Sequence, residues 1–297
     1  MIGMLRFSSL GLLTLALTGC WWDDSPTAPV RAPRNTFVDY QHIGGLVSGV
    51  WTKEHNPHVI KGITRVQDGD SLVIQAGVEI IANVTLYVER NSRLSFEGNS
   101  NSPIKFVHND PQFGGGVFGG TGSFRAKYTI FEGHGKAILV GMDSRIEHCV
   151  FSEILLKFSQ FYPDPYDSTI VRNCIFAGYR PWDSRQGGTQ VSTTDNYSFD
   201  SSKTDVRNNI FYTGIGDSTW ALNPDPVVDV WVKGQGAAKH IRAISWPGTG
   251  TKFADPKWVK YDFVGPSPAG ISGNDYHLLP GSAGIGAAHD GTNIGAY

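Results

Sequence analysis

Four six-residue segments of the chain share one pattern of apolar and polar positions: AKYTIF (126–131), IEHCVF (146–151), VRNCIF (171–176) and VRNNIF (206–211). Ala126, Ile146, Val171 and Val206 open them, and the charged residues Lys127, Glu147, Arg172 and Arg207 follow. Ile or Val and then Phe close each one. Alternation of this kind predicts strands with one buried and one wet face. The β-branched and aromatic content favours strand over helix.

Phe131, Phe151, Phe176 and Phe211 lie 20, 25 and 35 residues apart. Repeats of 20 or more residues with loop insertions mark stacked coils, none of which can bury its apolar face alone. The expected fold class is therefore all-β, a parallel solenoid with about 4.8 Å between rungs. In that stack the Phe column lies inside. Asn173 and Asn208 fit a turn position that needs left-handed backbone, and each Asn amide is placed to bond the Asn of the next rung. Cys149 and Cys174 share a column on adjacent rungs, either as two packed thiols or as a cross-rung disulfide.

Upstream, GITRV, SLVIQAGVEII, VTLYVERNSRLSFEG and SPIKFVHND continue as β runs separated by Asp-Gly, Ala-Gly, Asn-Ser and Asn-Asp turns. The 36 Gly and 16 Pro, with only three Met, agree with a turn-rich β chain. A length of 297 residues allows a sizeable core, and the net charge of −2 points to no nucleic-acid partner.

Trp51, the run from Gly69 to Val78, LSFEG (94–98) and PIKF (103–106) resemble the opening coils of secreted right-handed β-helix proteins of the pectate-lyase-like superfamily. FADPKWV, DYHLLPGSAGIGA and NIGAY resemble the closing element of the same proteins, with Ala283 where Pro is common. The resemblance covers roughly 44–214 and 253–297. It implies a single-stranded right-handed parallel β-helix with a capping C-terminal segment. It leaves activity open, because lyases, hydrolases, adhesins and inert scaffolds share the fold.

The N-terminus is an address. Arg6 precedes the apolar run from Phe7 to Leu17, too short to span a bilayer and suited to a signal peptide. Leu17-Thr18-Gly19-Cys20 resembles the lipobox of bacterial lipoproteins, which implies a lipidated Cys20 and a membrane-surface anchor. Trp21 and Trp22 suit a lipid interface, and Pro26, Pro29 and Pro33 suit an extended spacer. Asp after the lipidated Cys marks inner-membrane retention in enterobacterial lipoproteins. Trp21 stands there instead, which implies the outer membrane. The expected organisation is signal peptide 1–19, lipidated Cys and tether 20–36, and β-helix 37–297, as a monomer.

Candidate chemistry is sparse. GGGVFG (114–119) satisfies G-x-G-x-x-G but lacks the strand and helix that a dinucleotide site needs. Gly133-His134-Gly135 resembles a polygalacturonase motif, yet the companion Asp pair is missing. His55 and His58 have metal-like spacing, with Pro57 forbidding a helix between them. Asp195, Asp200 and Asp205 sit in a polar insertion that offers oxygen ligands for calcium without a calcium-loop motif.

Arg172 and Arg207 form the sharper site, a stacked pair of guanidinium forks able to bridge a uronate carboxylate. With Lys203 and Asp200 they offer the parts of a polysaccharide lyase, with calcium as its one candidate cofactor. Tyr212, Trp220, Trp231, Trp246 and Trp258 offer rings for sugar stacking, or for capping an open solenoid end. The expectation is a non-catalytic envelope protein that contacts glycan or another envelope component. A lyase on acidic polysaccharide is the alternative.

Overall fold

The computed structural model describes residues 40–109, 116–120, 122–140, 144–158, 169–177, 191–193, 204–212, 227–231, 238–242, 249–261 and 271–297. Their strands wind into a right-handed parallel β-helix. One wall is a seven-stranded parallel sheet: Gly49–Trp51, Ser71–Gln75, Arg93–Glu97, Ser123–Lys127, Arg145–Glu147, Thr169–Arg172 and Thr204–Arg207. A twelve-stranded parallel sheet forms the facing walls, with Ile104–His108, Thr129–Val140, Val150–Phe158, Ile175–Ala177 and Ile210–Tyr212 as successive rungs. The alternation along each strand sets which side chains enter the bore. Leu72 and Ile74, Leu94 and Phe96, Phe124 and Ala126, Ile146 and Val171 are buried, and their neighbours point outwards.

The four segments stack in register. Glu147 pairs with Arg172 and Arg172 with Arg207, while Phe151 pairs with Phe176 and Phe176 with Phe211. Inside, the rings of Phe106, Phe131, Phe151 and Phe176 follow one another at 6.0, 5.1 and 4.7 Å between centroids. Such contacts are worth about 0.5–1.5 kcal/mol each beyond the area they bury.

The turn column has left-handed backbone on every rung: φ is 47° at Tyr128, 52° at His148, 58° at Asn173 and 53° at Asn208. Asn tolerates this conformation, whereas bulky residues pay about 1–2 kcal/mol for it. The expected bond from Asn173 to Asn208 is replaced. The Asn173 amide lies 3.0 Å from His148 Nε2 and 2.6 Å from His289 Nδ1, and the Asn208 amide donates to the Ala287 carbonyl at 3.3 Å. The Asn that serves the rung stack is Asn209, fully buried, which accepts from the Cys174 N–H at 2.9 Å and donates to the Val171 carbonyl at 3.0 Å. Cys149 and Cys174 are free, buried thiols.

The Ile and Val position before each Phe points away from the bore. Ile130, Val150, Ile175 and Ile210 form a second apolar cluster with Trp258, Tyr276, Ala288, Ile294 and Ala296. The C-terminal segment thus covers a side of the helix and shields a column of aliphatic residues. Gly295 permits the closest approach: its φ is +106°, and a Cβ there would stand 2.9 Å from Ile175 Cδ1.

Candidate functional site

The outward face of the seven-stranded sheet collects the charges that the strand period turns away from the core. Its first column runs Gln75, Glu97, Lys127, Glu147, Arg172, Arg207, residue against residue in register. A second column, two residues earlier, runs Val73, Ser95, Arg125, Arg145, Ile170, Asp205. Arg93 adds an exposed cation at the same edge. Six cations therefore share the described face with three carboxylates, although the chain as a whole carries a net charge of −2. A local excess of this sign is what concentrates an anionic ligand at a surface.

Arg172 and Arg207 stack as the period requires, but each is compensated. Arg172 donates its Nε–H to Glu147 Oε1 at 2.5 Å, and both side chains are largely shielded. Arg145 donates its Nε–H to the other Glu147 oxygen at 2.5 Å. Burial alone would raise the Glu147 pKa, yet the two guanidinium bonds hold it below the ordinary carboxylate range. Arg207 lies 3.0 Å from Asp205, two residues earlier on its own strand. Among the described residues, the terminal nitrogens of Arg172 make no further hydrogen bond.

Arg125 and Arg145 escape a reading that begins each segment at its apolar residue. The signal was two positions upstream, in the same alternation: R-x-K at 125–127, R-x-E at 145–147 and D-x-R at 205–207. Lys203, Asp195, Asp200, Trp220 and Trp246 lie outside the described residues, as does Cys20. The backbone of Trp231 pairs with Ala238 in an antiparallel ribbon, and its ring lies outside what is described. Asp205 is engaged with Arg207, and among the described residues no group of three or more His, Cys, Asp or Glu could hold a metal ion. His58 Nε2 lies 2.9 Å from the Thr52 carbonyl, and its ring stacks on Trp51 at 4.9 Å.

The late aromatics pack on one another. Trp258 is buried against Tyr276 at 4.8 Å and Tyr261 at 4.7 Å, with half-buried Tyr212 edge-on at 6.5 Å. Beside them, buried Glu132 accepts hydrogen bonds from Ser272 and from Tyr276, both at 2.5 Å. Burial and the Glu132 charge push the Tyr276 phenol well above its ordinary pKa. Both Glu132 and Tyr276 are closed to solvent, so this carboxylate serves as an internal tie for the C-terminal segment.

Set against known proteins, the chain matches no family model, no curated protein and no solved structure. What the charged face can do therefore rests on its own geometry. It is a parallel β surface with guanidinium groups on successive rungs.

Proposed function

We propose that the protein is a bacterial envelope lipoprotein of the pectate-lyase-like β-helix kind, exported by residues 1–19 and anchored at Cys20. In this reading its seven-stranded face contacts an acidic glycan without chemistry. One observation carries the reading: among the described residues, six cations stand against three carboxylates on a single face of a chain whose net charge is −2. Planar guanidinium forks recognise carboxylates through paired N–H donors, and the parallel rungs repeat those donors along the helix axis. The tether of residues 20–36 would hold this face at the outer-membrane surface.

The test is retention on an array of uronate-bearing polysaccharides. Substituting Arg125→Ala, Lys127→Ala and Arg207→Ala together removes three exposed cations while sparing the Glu147 cluster. Retention should fall at least about tenfold and the dependence on salt should flatten, with the thermal melt unchanged. An unaltered array profile would sink the site.

The register of Arg172 with Arg207 favours a second reading, a polysaccharide lyase that neutralises a uronate and removes its C5 proton. Lys203 and Asp200 from the adjoining insertion, with calcium, would complete it. Such an enzyme releases an unsaturated uronide that absorbs in the near ultraviolet. Absence of that signal over a broad panel, with and without calcium, would leave the non-catalytic reading alone.

A further inference from the structure

Large apolar side chains stand exposed in two groups among the described residues. Val259, Leu279 and Ile285 lie on the C-terminal segment, and Leu46, Val50, Ile63 and Tyr87 lie on the first rungs. The second group is ordered by strand pairing. Leu46 is in register with Arg65, and Arg65 with Tyr87, so the three form one row across adjacent strands. The strand His58–Val66 turns Lys61, Ile63 and Arg65 outwards in succession, placing Ile63, 60% exposed, between two cations. The Arg65 guanidinium lies over the Tyr87 ring at 5.2 Å and reaches Glu89 at 3.4 Å, while Lys61 Nζ is 2.8 Å from His42 Nε2. Val50 stands around the corner, on the first strand of the seven-stranded sheet.

Aliphatic side chains and a tyrosine, bordered by lysine and arginine, make the composition that partitions into a headgroup region: apolar area enters the interface and the cations meet anionic lipid. Lys61 and Arg65 carry the charge of this face, and Glu89 offsets part of it through its contact with Arg65. These rungs also lie nearest in sequence to Cys20, with 19 residues between that cysteine and Tyr40. A tether of that length confines the first rungs near the membrane at an effective concentration on the order of millimolar, where a weak patch suffices.

We infer that the row Leu46–Arg65–Tyr87 with Ile63 is a lipid-contacting face that lays the first rungs of the helix on an anionic membrane surface. This inference rests on the reading of Cys20 as the lipid anchor. It assigns the N-terminal rungs to the membrane and leaves the basic face of later rungs for the glycan.

The test uses the mature chain, residues 20–297, carrying Cys20→Ala, so that neither the apolar leader nor the acyl anchor is present, and vesicles of phosphatidylethanolamine with phosphatidylglycerol. The parent should co-sediment with them and bind phosphatidylcholine vesicles more weakly. Leu46→Ser, Ile63→Ser and Tyr87→Ser combined should lower the bound fraction at least about tenfold. Val259→Ser with Leu279→Ser, equally exposed, should leave it unchanged. Should the triple variant fail to fold, Lys61→Glu with Arg65→Glu reads the same face through its charge and should give a similar loss.

Three results would overturn the contact: a parent that stays in the supernatant, an intact face that binds no better than the substituted one, or self-association without vesicles that the triple variant abolishes. The last would assign the patch to a second copy of the chain. Incorporation of a labelled fatty acid at Cys20 of the unsubstituted chain reports on the anchor separately. Its absence sinks the lipoprotein reading, whereas labelling without a difference between parent and triple variant sinks the contact alone.

Discussion

Glu147 sits between two arginines, accepting the Arg172 Nε–H from the next rung and the Arg145 Nε–H from its own strand, each at 2.5 Å. In-register stacking places Arg172 between Glu147 on one side and the like charge of Arg207 on the other. The carboxylate one rung below converts that column into an alternation of sign, from Glu97 through Lys127 and Glu147 to Arg172. The face is thereby stable without a ligand, and its surplus of positive charge is spread over several rungs.

Replacing Glu147 by Gln should raise affinity for an acidic glycan and lower stability. The substitution removes the charge that holds two guanidinium groups and leaves one neutral amide oxygen where two carboxylate oxygens accepted. Because Arg145 is half exposed, most of the loss comes from Arg172, in total about 1–3 kcal/mol. Elution from a uronate column should shift to higher salt, and the denaturant midpoint should drop. The pH sign follows from the depressed pKa of Glu147 in the folded protein. Its stabilisation is fully present above the unfolded value near 4.3 and is lost as pH falls through the folded one. Glu147→Gln should therefore narrow the gap to the parent protein in strong acid, and a constant gap from pH 6 to pH 2 would refute the assignment.

The rung stack was legible because like residues recur at like positions: the Phe column and the left-handed Asn173 and Asn208 follow from the repeat. The same conformation at Tyr128 was not, since a bulky aromatic residue rarely adopts positive φ. Nor could the repeat reveal why Ile130, Val150, Ile175 and Ile210 are apolar. Their cover is Ala288, Ile294 and neighbours, supplied by a segment far along the chain. The partner of Asn173 was missed for the same reason, because His289 is 116 residues away. Arg125 and Arg145 could have been found, as their alternation is continuous with that of Lys127 and Glu147.

His148 makes the protein acid-sensitive above the carboxylate range. The ring is buried, stacked on Tyr128 at 4.8 Å, with Nδ1 3.3 Å from the Asn293 carbonyl and Nε2 3.1 Å from Asp290. Burial outweighs the Asp290 charge and holds its pKa below the ordinary histidine value. As pH falls below about 6.5 the unfolded chain takes up the proton first, so stability declines until the folded pKa is passed. A second loss follows between pH 4 and 2. There Asp290, whose pKa is lowered to about 2 against the pull of burial by Thr292 and His148, becomes protonated. His148→Asn keeps a residue suited to positive φ and removes the His148 share of the first step. Melting temperatures of the variant should fall less from pH 7 to 5 than those of the parent, the remaining slope belonging to His58, whose buried ring is also held below the ordinary histidine value, and parallel curves would exclude His148 as a titrating group.

Cys149 and Cys174 should be inert in the folded protein. Each thiol donates to the backbone carbonyl two residues earlier, Cys149 to Glu147 and Cys174 to Arg172, both at 3.2 Å. Complete burial pushes the Cys174 thiol well above its ordinary pKa, which suppresses the reactive thiolate. A Cys20→Ala chain should show no reaction with an aromatic disulfide reagent while native and two thiols once denatured without reductant. Zero thiols after denaturation would instead establish a cross-rung disulfide.

The C-terminal segment should be indispensable to the later rungs although it belongs to none of them. Deleting residues 282–297 uncovers Ile130, Val150, Ile175 and Ile210 and removes His289 from Asn173 and the Ala287 carbonyl from Asn208. Each aliphatic side chain is worth about 1.5–3 kcal/mol when fully buried, and Trp258 and Tyr276 remain as partial cover, so the expected loss is about 4–6 kcal/mol. That is comparable to the whole stability of many domains. The truncated chain should bind a hydrophobic dye and aggregate on warming. Gly295→Ala probes the same packing more gently, because φ of +106° and the Ile175 methyl both oppose a Cβ. It should lower the denaturant midpoint by an amount equivalent to about 1–2 kcal/mol. A truncated chain with an unchanged midpoint and no dye binding would mean that the aliphatic column needs no cover, contrary to the burial of all four residues.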